Sequence, residues 1–300
     1  MKILLIGKGH LGTYLKNHWN LPENLHWKED MEGLTSKTLE AIRPDIVINT
    51  AAKTDMVWCE ANKDECFLNN TYKPANLFSR IQTTLRKTAY IHISSGCVWE
   101  GPYNKQGKPF APDYEVNPAC VYTESKVSCD NLLQSYCTMT PLTILRPRLV
   151  YSSGNNDRSV LAKINRYPKL IDTHNSISSV RTIAKTIDRL IETNLIFKFY
   201  GNIMNVYDKG IITPYQIGLM LHKYGCRGYP EKIEKKDLNS WHRPKRVDTV
   251  LHDKAFELLV QPPNVEDELE HNINLFAKNL RMESLQKLAE QAQELNMGYQ

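Results

Sequence analysis

The sequence predicts an α/β fold built on a doubly wound parallel sheet, and three observations carry that prediction. Four short apolar runs recur through the first half: KILLI at 2–6, DIVIN at 45–49, YIHIS at 90–94 and TILRPRLVY at 143–151. Stretches of helical character separate them, namely LGTYLKNHW, DECFLNNTYKPANLFSRIQTTL and ESKVSCDNLLQSY. A glycine-rich turn, Gly7-Lys8-Gly9-His10-Leu11-Gly12, joins the first run to the first helix. Near-continuous apolar strands alternating with helices indicate a parallel sheet covered on both faces.

Beyond the first strand and helix, the segment from Gly101 to Pro118 is rich in Pro, Gly and Asn and reads as a long loop. After Tyr151 the pattern loosens. SSGNNDRS reads as a loop, SVLAKINRY as a short helix and SVRTIAKTIDRLI as an amphipathic helix. NIMNVYD reads as a strand, PYQIGLMLHKY as a helix, and WHRPKRVD as a basic loop before two final helices. The division this predicts is a Rossmann-like nucleotide domain over 1–150 plus about 176–207, and a smaller α/β substrate domain over 151–175 and 208–277. A helical tail over 278–300 completes it. In that tail Leu285, Leu288, Ala292 and Leu295 share one helical face, which suits either a partner contact or a loosely attached terminal helix.

Composition narrows the function class. The net charge of +5 is mild and interspersed, unlike the clustered basic stripe of a nucleic-acid binder, and fits a small anionic substrate. No apolar segment approaches the roughly 20 residues that cross a bilayer. Seven cysteines, without a CxxC pair or a secretory leader, predict free thiols in a reduced, cytoplasmic compartment. Nine histidines without HExxH spacing predict no metal.

Two motifs carry chemistry. Gly7 to Gly12 is a GxGxxG at a strand–helix junction, where backbone approaches a dinucleotide pyrophosphate at a helix N-terminus. The acidic residue expected about 20 positions on is Glu29 or Asp30, which favours NAD, whereas the preceding Lys28 favours NADP. Both choices stay open on the residues alone. Tyr122-Thr-Glu-Ser-Lys126 is a YxxxK on a predicted helix, with phenol and ammonium on one face. An ammonium beside a phenol favours phenolate and makes the Tyr a usable proton carrier near neutral pH. The stretch ISSGCVWEG adds Ser94, Ser95 and Cys97 at the mouth of the same sheet.

Together these residues resemble the Ser-Tyr-Lys triad of an extended short-chain dehydrogenase/reductase of the dTDP-4-dehydrorhamnose reductase kind. The chain is similar in particular to the plant-type nucleotide-rhamnose synthase/epimerase-reductases. The runs VINTAAKTDMVWCEANK, ISSGCVWEG, VYTESK, LRPRLVYS, AKINRYPKL and NSISSV match in order over about residues 1–277. One departure is the glycine turn, GKGHLG here against the family's GKTGxxG, one residue shorter.

The resemblance implies Ser95, Tyr122 and Lys126 as the reductase triad, with Ser95 standing where the family usually has Thr. It implies Cys97 and Lys163 as the epimerase acid/base pair. Asn49, Thr50, Ala51 and Ala52 would run past the cofactor, NADPH with NADH as the other possibility. Asn70 would brace the active site and contact substrate, and Arg243 in HRPKR would face the substrate diphosphate; Arg148, also a substrate contact, and Arg181 are further phosphate candidates. Against this stand plainer readings. Free Cys is commonly a packing residue, the Lys163, Arg166 and Lys169 run is commonly a solvated face, and Trp58 and Trp99 suit packing, although Trp99 also suits stacking near the pocket. The function implied is a bifunctional 3,5-epimerase/4-reductase acting on a UDP-sugar, UDP-4-keto-6-deoxy-D-glucose, and yielding UDP-L-rhamnose, in a possible homodimer. The alternatives are a monofunctional 4-ketoreductase and a non-catalytic reductase-fold regulatory subunit.

Overall fold

The computed structural model describes residues 1–19, 23–241 and 244–297, without the side chains of Trp241 and 292–297. The first half runs β1 (Ile3–Ile6), α1 (His10–Trp19), β2 (Leu25–Lys28), α2 (Ser36–Ile42), β3 (Ile46–Asn49) and α3 (Met56–Ala61). Then come α4 (Lys63–Phe67), a π-helical turn (Leu68–Tyr72), α5 (Lys73–Thr84), β4 (Ala89–Ile93), α6 (Val121–Tyr136) and β5 (Leu142–Pro147). The second half begins with β6 (Val150–Tyr151), α7 (Val160–Arg166), β7 (Lys169–Ile171), β8 (Ser178–Ser179), α8 (Val180–Glu192) and β9 (Tyr200–Val206). It ends with α9 (Pro214–Lys223), β10 (Glu231–Ile233), α10 (Lys235–Trp241), α11 (Lys254–Val260) and α12 (Val265–Met297).

The main sheet has six strands in the order β2-β1-β3-β4-β5-β9, and every pair is parallel. Strand periodicity explains its two layers. Successive side chains alternate faces, so Ile3, Leu5, Ile46, Ile48, Ala89 and Ile91 pack with Leu11 and Leu15 of α1 and with Ile183, Ile187 and Leu190 of α8. Leu4, Ile6, Val47, Tyr90, Leu142 and Ile144 face the other way, onto Leu39, Leu77, Phe78, Ile81, Cys129 and Leu133 of α2, α5 and α6. A separate core of Leu161, Ile164, Ile217, Leu221, Leu269, Ile273 and Phe276 joins α7, α9 and α12.

The sheet order sets where a ligand belongs. From β1 the chain steps outward to β2, then crosses back to β3 on the other side of β1. In open parallel sheets, ligands occupy the crevice beyond the strand C-termini at such a reversal. Here Gly7 and Thr50 flank it.

Several elements differ from the sequence expectation. The run 143–151 is two strands, because Leu149 adopts φ 44°, in the left-handed region, and breaks the ladder. β2 is an additional strand, and β7 pairs with β10 in a small parallel sheet of its own. The helical stretch from 63 to 84 contains the π turn two residues before Pro74, whose ring nitrogen cannot donate; the widened turn carries Asn70 and Thr71 inward. Trp99 is fully buried, stacked on Phe110 with centroids 5.2 Å apart, so it belongs to the core and not to the pocket. Leu285 and Leu288 of α12 are exposed. Among the described residues, no helix is long and apolar enough to cross a membrane.

Candidate active site

The glycine turn is shaped by close backbone approach. Gly7 has φ +119°, and a Cβ on it would lie 2.4 Å from Thr50 Oγ1. On Gly12 a Cβ would meet the Gly7 carbonyl oxygen at 2.1 Å, which backbone cannot vacate. Thr50 fixes the far wall by donating from both N and Oγ1 to the Ile6 carbonyl, each at 2.8 Å. α1 then opens at His10 with no acidic residue in its first turn, leaving its N-terminal amides and dipole free for an anion. A cradle with these properties fits a dinucleotide pyrophosphate, with Gly7, Lys8, Gly9, His10, Leu11, Gly12, Thr50, Ala51 and Ala52 around it. At its edge Lys8 pairs with Glu29 at 2.5 Å, so the acidic residue near the ribose position already has a cation beside it.

β4 delivers Ser94, Ser95 and Cys97 to the sheet end. Ser95 Oγ accepts from the Cys97 amide at 3.1 Å, which folds the SSGC turn back on itself. α6 delivers Tyr122 and Lys126. Its N-terminus is held by a reciprocal Cys120–Thr123 cap and by Glu60 of α3, whose Oε1 accepts from the Val121 amide at 2.9 Å. Thus the WCEA run of α3 positions the first turn of the Tyr122 helix. Ser95, Cys97 and Tyr122 come together. Burial pushes the Tyr122 phenol well up, the adjacent Cys97 sulfur adds to the rise, and a hydrogen bond with Ser95 opposes it.

That direction corrects the expectation that Lys126 lowers the phenol. Lys126 is buried, with its Nζ 2.9 Å from the Ile93 carbonyl oxygen and 3.1 Å from His92 Nε2. Engaged there, it does not offset the burial that raises Tyr122, and burial draws its own ammonium down.

Two substrate assignments are also corrected. Asn70 is fully buried and spends its carboxamide on the protein. Its Oδ1 accepts from the Lys53 amide at 2.8 Å, and its Nδ2 donates to the Lys53 carbonyl at 2.9 Å and to Ser125 Oγ at 3.1 Å. It therefore ties the segment after Ala52 to α6 and has no group left for substrate. Arg148 is likewise buried, donating to Cys97 Sγ at 2.9 Å, to the Val247 carbonyl at 2.7 Å and to Asn175 Oδ1. It backs Cys97 and does not reach into solvent for a phosphate. Arg181 pairs with Glu268 at 3.3 Å and lines a different cavity, with Tyr14, His18 and Asp188. Arg243 lies outside the described residues.

Lys163 of α7 belongs to a second group. Burial lowers its ammonium, with Arg246, Arg158 and Arg166 adding to the effect and Asp55 opposing it. His10 joins this group: burial, Lys163 and Arg158 bring it down to about 4, so it is neutral at pH 7, and its Nε2 lies 2.6 Å from Ser152 Oγ. A Cβ on Gly9 would come within 3.1 Å of Arg158 Nη1, which puts a guanidinium over the glycine turn. Lys163, Arg158 and Arg246 form a cationic wall suited to a diphosphate. Sequence reasoning missed Arg158 and Arg246, which sit in polar loops with no periodic signal. It also missed His92, although a lone histidine within the apolar run YIHIS was a visible anomaly.

Residues 1–212 match the family model described as the RmlD substrate binding domain. The spore coat polysaccharide biosynthesis protein SpsK of Bacillus subtilis is 30% identical over 115 residues, 38% of each chain. A bifunctional dTDP-4-dehydrorhamnose 3,5-epimerase/dTDP-4-dehydrorhamnose reductase of Arabidopsis thaliana is 24% identical over 193 residues, 62% of this chain and 61% of that one. The chain thus spans less than two thirds of the length of these sequence relatives. Among solved structures, the UDP-rhamnose synthase from Acanthamoeba polyphaga mimivirus superposes with a TM-score of 0.78 at 18% identity, covering 92% of this chain and 99% of that one. At that identity the likeness establishes the fold.

Proposed function

The chain belongs to the RmlD substrate-binding-domain family, and on that footing we propose that it is a nucleotide-sugar 4-ketoreductase that also performs 3,5-epimerisation. The proposed reaction converts UDP-4-keto-6-deoxy-D-glucose to UDP-L-rhamnose with NADPH. The observation that carries it is the convergence of the Ser95 hydroxyl, the Tyr122 phenol and the Cys97 sulfur. The relatives named for both activities support it at the level of family.

The chemistry follows from the ketone. A 4-keto group acidifies the protons on C3 and C5, since the carbanion delocalises onto the carbonyl oxygen. Donors at that oxygen, Ser95 and Tyr122, stabilise the enolate. Inversion at a ring carbon needs a proton acceptor on one face and a donor on the other, the roles assigned to Cys97 and Lys163. Burial lowers the Lys163 ammonium, the direction that eases its release of a proton. Gly7–Gly12 and Thr50–Ala52 would hold a nicotinamide dinucleotide, which when bound would supply the hydride for C4 and be oxidised in turn. Tyr122, kept protonated by burial, then gives its proton to O4.

A monofunctional reductase is the second reading, favoured by one observation. The charged groups acting on Lys163 are Arg246, Asp55, Arg158 and Arg166, a set that suits diphosphate binding. The test is to incubate the protein, the ketosugar and NADPH and follow NADPH oxidation. Turnover is expected, falling by about 10²-fold or more in Tyr122→Phe. No oxidation with that ketosugar overturns the bifunctional reading; no oxidation with its 3,5-epimer either overturns both, and a non-catalytic regulatory role would take their place.

A further inference from the structure

The glycine turn brings little positive charge of its own to a pyrophosphate. Of its side chains only Lys8 and His10 are basic. Lys8 is spent on Glu29 at 2.5 Å. His10 is neutral at pH 7, brought down to about 4 by burial and by the nearby Lys163 and Arg158. What remains is the α1 N-terminus, whose amides and dipole amount to roughly half an elementary charge. Each phosphate of a dinucleotide carries a full negative charge.

The balance comes from the second half of the chain. Arg158 lies in the loop between β6 and α7, and its Nη1 would be 3.1 Å from a Cβ on Gly9, the only neighbour within 4 Å outside the adjoining residues. Gly9 is the second glycine of the motif, the one that lets backbone approach a pyrophosphate closely. A guanidinium above it faces the surface that a pyrophosphate would use. Arg158 is also uncommitted. Its acidic neighbour Asp157 is paired with Arg166 at 2.6 Å, and among the described residues Arg158 has no ion-pair partner.

The loop is held from both sides. His10 Nε2 and Ser152 Oγ lie 2.6 Å apart and tie it to α1. On the far side two residues of the 278–300 tail anchor it: Asn279 Nδ2 donates to the Ser153 carbonyl at 2.9 Å, and Glu283 Oε2 accepts from Asn155 Nδ2 at 2.9 Å. Asn156 closes the turn, its Oδ1 accepting from the Arg158 amide at 2.9 Å and its carbonyl from the Ser159 amide at 2.8 Å. The Arg158 backbone is therefore placed beside the glycine turn in advance, which leaves little loop ordering to be done on binding. The side chain is exposed, so its long flexible stem can lift by the thickness of a phosphate and stay in contact.

We infer that Arg158 is a dinucleotide-binding residue, whose guanidinium closes over the pyrophosphate from the side opposite the α1 N-terminus. This rests on the reading of Gly7–Gly12 as the dinucleotide cradle. It also divides the cationic wall between two ligands. Arg158 serves the dinucleotide, whereas Arg246, whose Nη1 lies 3.6 Å from Met56 Sδ, sits toward the start of α3 and is left for the substrate diphosphate.

The test is calorimetric titration of the full chain with NADPH, NADH and UDP, in wild type, Arg158→Ala and Arg158→Lys. The residue is exposed, so both variants should keep the wild-type thermal midpoint. In Arg158→Ala, NADPH and NADH should each bind about tenfold more weakly, the worth of one hydrogen bond from a charged group, with UDP unchanged. Arg158→Lys should recover part of that loss, because it keeps the charge without the fork of donors. Unchanged affinity for both dinucleotides in Arg158→Ala overturns the inference. So does a loss confined to NADPH, which would put Arg158 at the 2′-phosphate, or one confined to UDP, which would put it on the substrate. A wild-type chain that binds neither dinucleotide sinks the cradle reading and the inference with it, whereas wild-type binding with no loss in Arg158→Ala sinks the inference alone.

Discussion

Asn70→Ala tests how the site is held together. The side chain is fully buried and bonds both backbone groups of Lys53 as well as Ser125 Oγ. Ser125 retains its own bond to the Tyr122 carbonyl at 2.7 Å after the substitution, so it is not stranded. The Lys53 N–H loses its side-chain partner, and its C=O keeps only the Cys59 thiol at 3.7 Å. Lys53 is exposed, so water replaces part of what its backbone loses; each lost bond costs about 0.5–1.5 kcal/mol, which places the expected loss at about 1–3 kcal/mol. Urea unfolding of wild type and variant measures it as a change in midpoint at constant slope. Because the same bonds link the Thr50–Ala52 segment to the Tyr122 helix, dinucleotide affinity should fall with stability. Asn70→Asp keeps the acceptor for Lys53 N–H but loses the donors, and should fall between the two. A loss below about 0.5 kcal/mol in Asn70→Ala would refute the claim that this residue is the brace.

Three shorter predictions follow. Gly12→Ala should cost about 1–3 kcal/mol and abolish dinucleotide binding, because its Cβ meets the Gly7 carbonyl; Gly9→Ala, which meets only the tip of Arg158, should barely change the thermal midpoint. Asp208 is buried among Tyr151, Ser179 and Thr182, and burial raises its carboxyl from 3.8 to about 6. A folded value above the unfolded one means its stabilisation is complete below pH 4 and is lost as pH rises through 6. The loss is about 3 kcal/mol for a two-unit shift. Urea titrations at pH 4 and 7 should therefore show a flatter pH dependence in Asp208→Asn, by about that amount. Asp130→Asn leaves Arg146 as a buried, unpaired cation and should cost about 3–5 kcal/mol by the same assay.

How far the sequence alone reached is clearest at particular residues. β1, β3 and β4 were legible because a strand buried on both faces is a continuous apolar run. β2, LHWK, was not: it is a half-buried edge strand with no β-branched residue. Leu149 continues the apolar pattern of 143–151 while its backbone turns left-handed, and periodicity does not report φ. The YxxxK spacing placed Tyr122 and Lys126 on one helix, but which partner holds the lysine depends on β4, 34 residues earlier. Arg148 and Asn70 were both identified as site residues, yet their partners come from distant segments, so burial and pairing were invisible before the fold. Cys97 was singled out from its motif, and the guanidinium behind it is a purely tertiary feature.

The central claim is that Cys97 and Tyr122 act on one sugar ketone, and solvent exchange tests it most directly. Protein and UDP-4-keto-6-deoxy-D-glucose are incubated in D₂O without NADPH, and C3 and C5 are followed by NMR. The account predicts deuterium at both carbons, above the uncatalysed rate, and a loss of that exchange in Cys97→Ala with NADPH-dependent reduction of a pre-epimerised ketosugar retained. Wild-type exchange no faster than solvent alone, with reduction intact, would contradict it.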